Sequence, residues 1–176
     1  MSERLKRTRP AVSVEDAIDG LTPQAAQVLR QFRIVFNTVR NHFQQIERQS
    51  GLGGAQLWTL SLVAKRPGIG MGELADAMDV HQSTASNLIR LLVRKRLVRS
   101  SRDEGDRRAV NLFVTDEGVA VLATAPGPFA GVLPDALGRL DAETLDRLSD
   151  DLATLIDVLS VEEPETAART PLAGLG

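Results

Sequence analysis

The chain contains no cysteine and no tyrosine, and aromatic residues make up 3% of it. Without cysteine there can be no disulfide framework, no thiolate metal site and no thiol redox switch. No apolar run reaches the roughly eighteen residues of a membrane span, and the N-terminus has no signal-type apolar stretch. The chain is therefore expected to work in the cytoplasm, with no membrane partner. The marks of common enzyme classes are missing as well. There is no Gly-x-Ser-x-Gly elbow and no Gly-x-x-x-x-Gly-Lys loop. Gly51, Gly53 and Gly54 lack the strand-before, helix-after setting of a dinucleotide site. The histidines, His42 and His81, lie far apart, and no His/Asp/Glu cluster has metal-ligand spacing. An enzyme is not expected, and neither a cofactor nor a metal site is.

What is present is a charge distribution. At 176 residues the chain can bury one sizeable core, and its formal net charge is −2. A slightly acidic sum argues against a nucleic-acid partner, but the arrangement reverses that. Between His81 and Arg108 stand Arg90, Arg94, Lys95, Arg96, Arg99, Arg102, Arg107 and Arg108, opposed by Asp103, Glu104 and Asp106. From Ala109 onward the basic residues are Arg139, Arg147 and Arg169. Binding to nucleic acid depends on where charge sits rather than on its total.

The basic stretch lies within a patterned one, Gly70 to Gly118. Leu74, Ala75 and Met78 are spaced to face inward from one short helix. Asp79 falls at a turn, where it tolerates positive φ better than most residues, and it is also a candidate cap for the next helix. Val80 plugs the turn into the core. A second helix is predicted from His81 to Arg96, with Ala85, Leu88, Ile89 and Leu92 as its apolar stripe. Its other face starts with Gln82, Ser83, Ser86, Asn87 and Arg90, groups that can donate to and accept from base edges. Leu97 to Ser100 and Ala109 to Val114 read as paired strands flanking a basic loop, Ser101 to Arg108. Helix, turn, helix and hairpin in that order place one helix in a DNA major groove with a β-loop beside it.

The hairpin makes the resemblance specific. Asp106-Arg107-Arg108, the apolar strand Val110 to Val114, and Thr115-Asp116-Glu117-Gly118 match in order and spacing the Asp-x-Arg, strand, Thr-x-x-Gly wing of the multiple antibiotic resistance regulator (MarR) family. The stretch resembles those winged helix-turn-helix transcription factors over residues 25 to 160, most closely over 70 to 118. It departs at Asp79, where the family carries a small turn residue. The resemblance implies that Arg108 sits at the wing tip near DNA and that Asp106 holds it in place. It implies an obligate dimer built from the first and last helices. It also implies a small aromatic or phenolic anion as effector, bound between those helices and the winged region.

The remaining segments are arranged around this device. Residues 1–20 read as a flexible basic arm and 21–50 as a dimerisation helix with the stripe Val28, Phe32, Val35, Phe36, Val39, Phe43, Ile46. Residues 51–118 form the winged helix-turn-helix. Residues 119–161 supply C-terminal dimerisation helices, the last capped by Asp141 and striped by Leu145, Leu148, Leu152, Leu155, Ile156 and Leu159. Residues 162–176, rich in Ala, Pro, Glu and Gly, are expected to be disordered and dispensable.

The fold class is thus mainly α with a small β-hairpin wing (α+β). The expected function is a homodimeric repressor that reads an inverted-repeat operator in double-stranded DNA, relieved by a small-molecule effector. DNA contacts fall to Gln82, Ser83, Ser86, Asn87, Arg90, Arg107 and Arg108, with Asp106 in support. A winged-helix protein-interaction module without DNA binding is the alternative, and it leaves the basic loop without a task. Arg94-Lys95-Arg96 fits either phosphate contact or a solvated helix end matched to the helix dipole. Trp58 and His42 are candidates for a ligand site, against the plainer readings of a core tryptophan and an exposed, inert histidine.

Overall fold

The computed structural model describes residues 20–102 and 110–172. The expected arm, all but Gly20, lies outside the described residues. So does the wing tip, 103–109, with Asp106, Arg107 and Arg108. The chain divides into two compact units, Met1–Asn37 and Thr38–Gly176.

In the first unit the described residues enter a long helix, α1 (Pro23–Ser50). The Thr22 hydroxyl accepts from the Ala25 amide at 3.2 Å, and Pro23, which has no amide to satisfy, takes the first helical position. Phe32 and Phe36, one turn apart, stack at 6.1 Å. Val28, Ile34, Val35 and Phe36 are exposed.

In the second unit the rest of α1 leads to Ile46, which is fully buried. Then come α2 (Gly54–Lys65), β1 (Ile69–Gly70), α3 (Met71–Ala77), α4 (Gln82–Arg94), β2 (Val98–Arg102), β3 (Val110–Val114), α5 (Asp116–Thr124), α6 (Val132–Leu137), α7 (Ala142–Leu159) and α8 (Pro164–Ala168). The core is shared by α2, α3, α4 and the sheet: Leu57, Leu60 and Val63, then Leu74, Ala75 and Met78, then Ala85, Ile89 and Leu92, closed by Val98 and Leu112. Each buried leucine stabilises by about 1.5–3 kcal/mol relative to exposure. The inward residues expected of both short helices are therefore inward, with Leu88 half-buried at the edge of its stripe.

The sheet has three antiparallel strands in the order β1-β3-β2, with Val98 opposite Val114 and Arg102 opposite Val110. The sequence pattern predicts two of them. Two residues carry no periodicity, so β1 is invisible to it. The Gly68 amide, at a positive φ of 87°, donates to the Leu112 carbonyl at 2.8 Å and sets Ile69 opposite Leu112.

At the C-terminal end Asp141 caps α7 as expected, accepting from the Thr144 amide at 2.8 Å and from its hydroxyl at 3.0 Å. Those two bonds hold the Asp141 carboxyl below its ordinary pKa of 3.8. The cap contributes fully above that value and is lost as pH falls through the lowered one. Leu145, Leu148 and Leu152 are half-buried, while Leu155, Ile156, Val158 and Leu159 are exposed. One short helix lies within the segment expected to be a disordered tail. Pro164–Ala168 is helical, with proline at the first turn and the Ala167 amide bonded to the Glu163 carbonyl at 3.0 Å. Its short length hides it from any periodicity test, while its N-terminal proline favours the turn.

The base of the wing is closed at one point. The Thr115 hydroxyl donates to the Arg96 carbonyl at 2.7 Å and accepts from the Gly118 amide at 3.1 Å; the Thr115 amide donates to the Leu97 carbonyl at 3.1 Å. Gly118 is buried. A Cβ there would fall inside contact distance of the Leu97 carbonyl oxygen and 2.7 Å from Val114 Cγ2. This is the physical content of the Thr-x-x-Gly motif: threonine joins helix exit to strand end, and glycine lets the next helix lie against both. Gly118→Ala should therefore cost about 1–3 kcal/mol of stability through overpacking, read as a lowered urea midpoint at unchanged slope.

Candidate nucleic-acid interface

The helix-turn-helix is held by two helix ends of the same design. At the end of α3 the Asp79 amide donates to Asp76 and the Val80 amide to Ala75, at 3.1 and 3.0 Å. At the end of α4 the Arg96 amide donates to Val93 and the Leu97 amide to Leu92, at 2.9 and 3.0 Å. Each is a Schellman closure, with a left-handed residue followed by an apolar one tucked beneath the helix. The left-handed residues are Asp79 (φ 49°) and Arg96 (φ 61°), and the tucked ones, Val80 and Leu97, are buried. Glycine would fill both left-handed positions at least cost, so the sequence conceals the second closure: α4 is expected to run through Arg96 and stops at Arg94. Asp79 makes the turn and does not cap α4. His81 holds the N-cap position without a side-chain bond.

Opposite its buried stripe, α4 presents Gln82, Ser83, Asn87 and Arg90 to solvent, with Ser86 half-buried between them. The residues expected to read DNA thus lie on one face. The Arg90 guanidinium donates to Asn87 Oδ1 at 3.0 Å, which orients the asparagine amide. The first amides of the helix have no side-chain cap, so they retain donor capacity toward an anion.

The Arg94-Lys95-Arg96 run divides by task. Lys95 Nζ donates to the Gly51 carbonyl at 2.9 Å, tying the end of α4 to the end of α1. Arg96 makes the left-handed turn and offers its carbonyl to Thr115. Arg94 is exposed. Lys95 thus spends its ammonium on structure, whereas the bonds of Arg96 are those of its backbone. On the wing, the Arg99 guanidinium lies 4.5 Å over the ring of Phe113, its cross-strand partner. That cation–π contact fixes a charge on the strand face, and nothing in the local sequence pattern singles it out. The placement of Asp106, Arg107 and Arg108 falls outside the described residues.

A cavity of about 180 Å³ lies directly behind the turn. Val39 and Phe43 of α1, Trp58 of α2, the turn residues Met78, Asp79 and Val80, and the segment Phe129–Pro134 line it, together with Ala168–Leu172. Trp58, half-buried, is a wall of this cavity as well as a core residue. His42 is not exposed and inert: it is half-buried, and its Nε2 donates to the Pro128 carbonyl at 3.0 Å. It pins the loop that forms one wall instead of lining the cavity itself. Among the described residues no group of three or more His, Cys, Asp or Glu could hold a metal ion, and no helix is long and apolar enough to cross a membrane.

Comparison with known proteins bears on the winged region above all. A family model described as MarR family matches residues 50–109. The HTH-type transcriptional repressor MdtR of Bacillus subtilis (strain 168) is 27% identical over 84 residues, 48% of this chain and 54% of that protein. A Thauera aromatica protein, named as a putative transcriptional regulatory protein for the hcr operon, is 34% identical over 101 residues, 57% of this chain and 56% of that one. The chain therefore spans about half the length of the curated relatives it matches. Among solved structures, Sco3205, a MarR family transcriptional regulator from Streptomyces coelicolor in complex with DNA, aligns with a TM-score of 0.54 at 26% identity. That alignment covers 81% of this chain and 92% of that one.

The backbone cost of the left-handed arginine is directly measurable. Arg96→Gly should raise the unfolding free energy by up to about 1 kcal/mol, strain relief exceeding the added entropy of the unfolded chain. Equilibrium urea unfolding measures it; a destabilised variant would show that the Arg96 side chain outweighs its backbone cost.

Proposed function

We propose that this chain belongs to the MarR family, which its winged region matches, and is a dimeric, sequence-specific repressor of transcription that reads an inverted-repeat operator in the cytoplasm. The observation that carries the reading is the solvent-facing row Gln82, Ser83, Asn87 and Arg90 on a helix whose other face is locked into the core. In the major groove Gln82, Ser83, Ser86 and Asn87 meet base edges, and Arg90 reaches toward the backbone while steadying Asn87. Arg94 adds phosphate contact at the far end of the helix. The wing carries Arg107 or Arg108 to the flanking minor groove, with Asp106 holding the arginine, where a narrow A·T-rich stretch concentrates negative potential.

Two such helices, related by a dyad, enter successive major grooves about one helical turn apart, so the operator mirrors the symmetry of the protein. Support for the second copy comes from apolar residues that are exposed in each unit, Val28, Val35 and Phe36 in the first and Leu155, Ile156, Val158 and Leu159 in the second. An apolar surface of this kind marks an interface, and a shared core is the form that obligate dimers take. The cavity is the effector site in this reading. Its ligand touches the Met78–Val80 turn, and by favouring one spacing of the two reading helices it weakens DNA binding.

Fluorescence anisotropy on an operator duplex tests the DNA half. Binding should weaken steeply with salt, and Arg108→Ala should cost about 1–3 kcal/mol of affinity with the dimer intact. Unchanged affinity would remove the wing from the mechanism. The absence of any salt-dependent duplex binding would leave the interaction-module reading in its place.

Sedimentation equilibrium tests the assembly. The full chain should be a dimer at all workable concentrations. Truncation after Asp141, which removes α7, should give aggregation or unfolding. A well-folded monomer that binds one half-site tightly would sink both the dimer and the inverted repeat.

A further inference from the structure

One wall of the cavity comes from beyond the winged region. Ser160 ends α7 at a left-handed φ of 52°, and the chain bends there before it enters α8. Ala168, Arg169, Thr170, Pro171 and Leu172 end α8 and continue past it, and they line the same space as Trp58 and the Met78–Val80 turn. The segment carries its own bonds: the Arg169 amide to the Glu165 carbonyl, the Thr170 amide to the Ala167 carbonyl, and the Thr170 hydroxyl to the Thr166 carbonyl at 3.0 Å. None of its residues belongs to the core. It is a preformed unit standing at the cavity. We propose that residues 168–172 are a strap poised to close the cavity by seating Leu172 in it, so that the chain supplies its own occupant behind the turn. The inference goes beyond the DNA reading and stands without it.

Apolar surface left over at the cavity drives the closure. Leu172 lines the cavity yet is 41% exposed, and Pro171 beside it is half-buried. Phe43, Trp58 and Phe129 line the same space and are only partly buried against the core. The room suffices. An apolar cavity of roughly 150 Å³ accepts benzene, and this one, of about 180 Å³, holds a leucine side chain. Seating Leu172 removes both apolar surfaces from water at once and buries no charge. Charge steers the movement. Among the lining residues the charged ones are Asp79 on the turn and Arg169 on the strap, opposite in sign. Their attraction draws the strap toward the turn and is screened by salt. A seated strap rests on Met78, Asp79 and Val80 and holds the geometry in which the Asp79 and Val80 amides are bonded. A lifted strap leaves that turn to its backbone bonds alone. Closure is thus a switch, built from the C-terminal end, on how firmly the two helices are joined.

Trp58 is the only tryptophan of the chain and reports on the cavity directly. Leu172 lies outside the core, so full-length variants at that position keep the fold, which an unchanged thermal midpoint verifies. Acrylamide should quench Trp58 about twofold more efficiently in Leu172→Asp than in the unaltered chain. Leu172→Met, which keeps a flexible apolar side chain, should stay protected. Arg169→Gln should give about half the effect of Leu172→Asp. Asp79→Asn, which tolerates the left-handed backbone, should match it, and the double variant should go no further. Amide hydrogen exchange reads the turn: the Asp79 and Val80 amides should exchange about tenfold faster in Leu172→Asp. Unchanged quenching in that variant would overturn the strap. Raised quenching with unchanged exchange would overturn its hold on the turn. Equal release by Leu172→Met and Leu172→Asp would overturn apolar seating, and additive effects of Arg169→Gln and Asp79→Asn would overturn the steering pair.

Discussion

The winged region depends on the short junction at which Thr115 bonds to Arg96 and Leu97 while Gly118 lies against both Leu97 and Val114. A reading helix and a wing are useful together only if their relative placement is fixed, and here the fixing is local. The exit of α4, the end of β3 and the start of α5 share one threonine hydroxyl and one missing Cβ. Side chains of the core then add stability without having to specify the angle, since the backbone bonds already do. Lys95 extends the same arrangement to the end of α1.

The two Schellman closures show a conflict resolved in favour of charge. Both left-handed positions are suited to glycine, and the chain places Asp79 and Arg96 there. A residue in that region costs energy that the surrounding structure must cover. The buried Val80 and Leu97 next in line supply that cover by sealing the helix ends. The departure of Asp79 from the small turn residue of the family that the sequence resembles therefore leaves the turn geometry intact and places an acidic residue at the cavity.

Much of this is legible in the residues. Period-3.6 apolar spacing locates α3 and α4 and their inward faces, alternation locates β2 and β3, and Asp79 is recognisable at its turn. The solvent face of α4, with the residues proposed to read DNA, is what the stripe leaves over. Other features are not legible, for physical reasons. A two-residue strand and a five-residue helix are too short to carry a period. The left-handed Arg96 has no signature when glycine is absent. The division of Arg94, Lys95 and Arg96 among three tasks depends on long-range partners, Gly51 and Thr115, that local spacing does not reveal. His42 reads as inert because its partner, the Pro128 carbonyl, lies 86 positions away. The cavity wall at 168–172 is of the same kind, since composition speaks to what a segment can bury by itself and not to what it covers.

Met78, Asp79 and Val80 belong at once to the turn between the two helices and to the wall of the cavity. They therefore carry two sets of demands on three side chains and one strained backbone. A substitution there that widens the range of accepted ligands also alters how the two helices meet. Under the proposed function, new chemical sensitivity gained through these positions in a lineage of such proteins would arrive together with changed operator strength. Change confined to Trp58, Phe129 or the C-terminal wall would leave the turn itself untouched. Divergence of ligand range within the fold is thus easiest on the far side of the cavity.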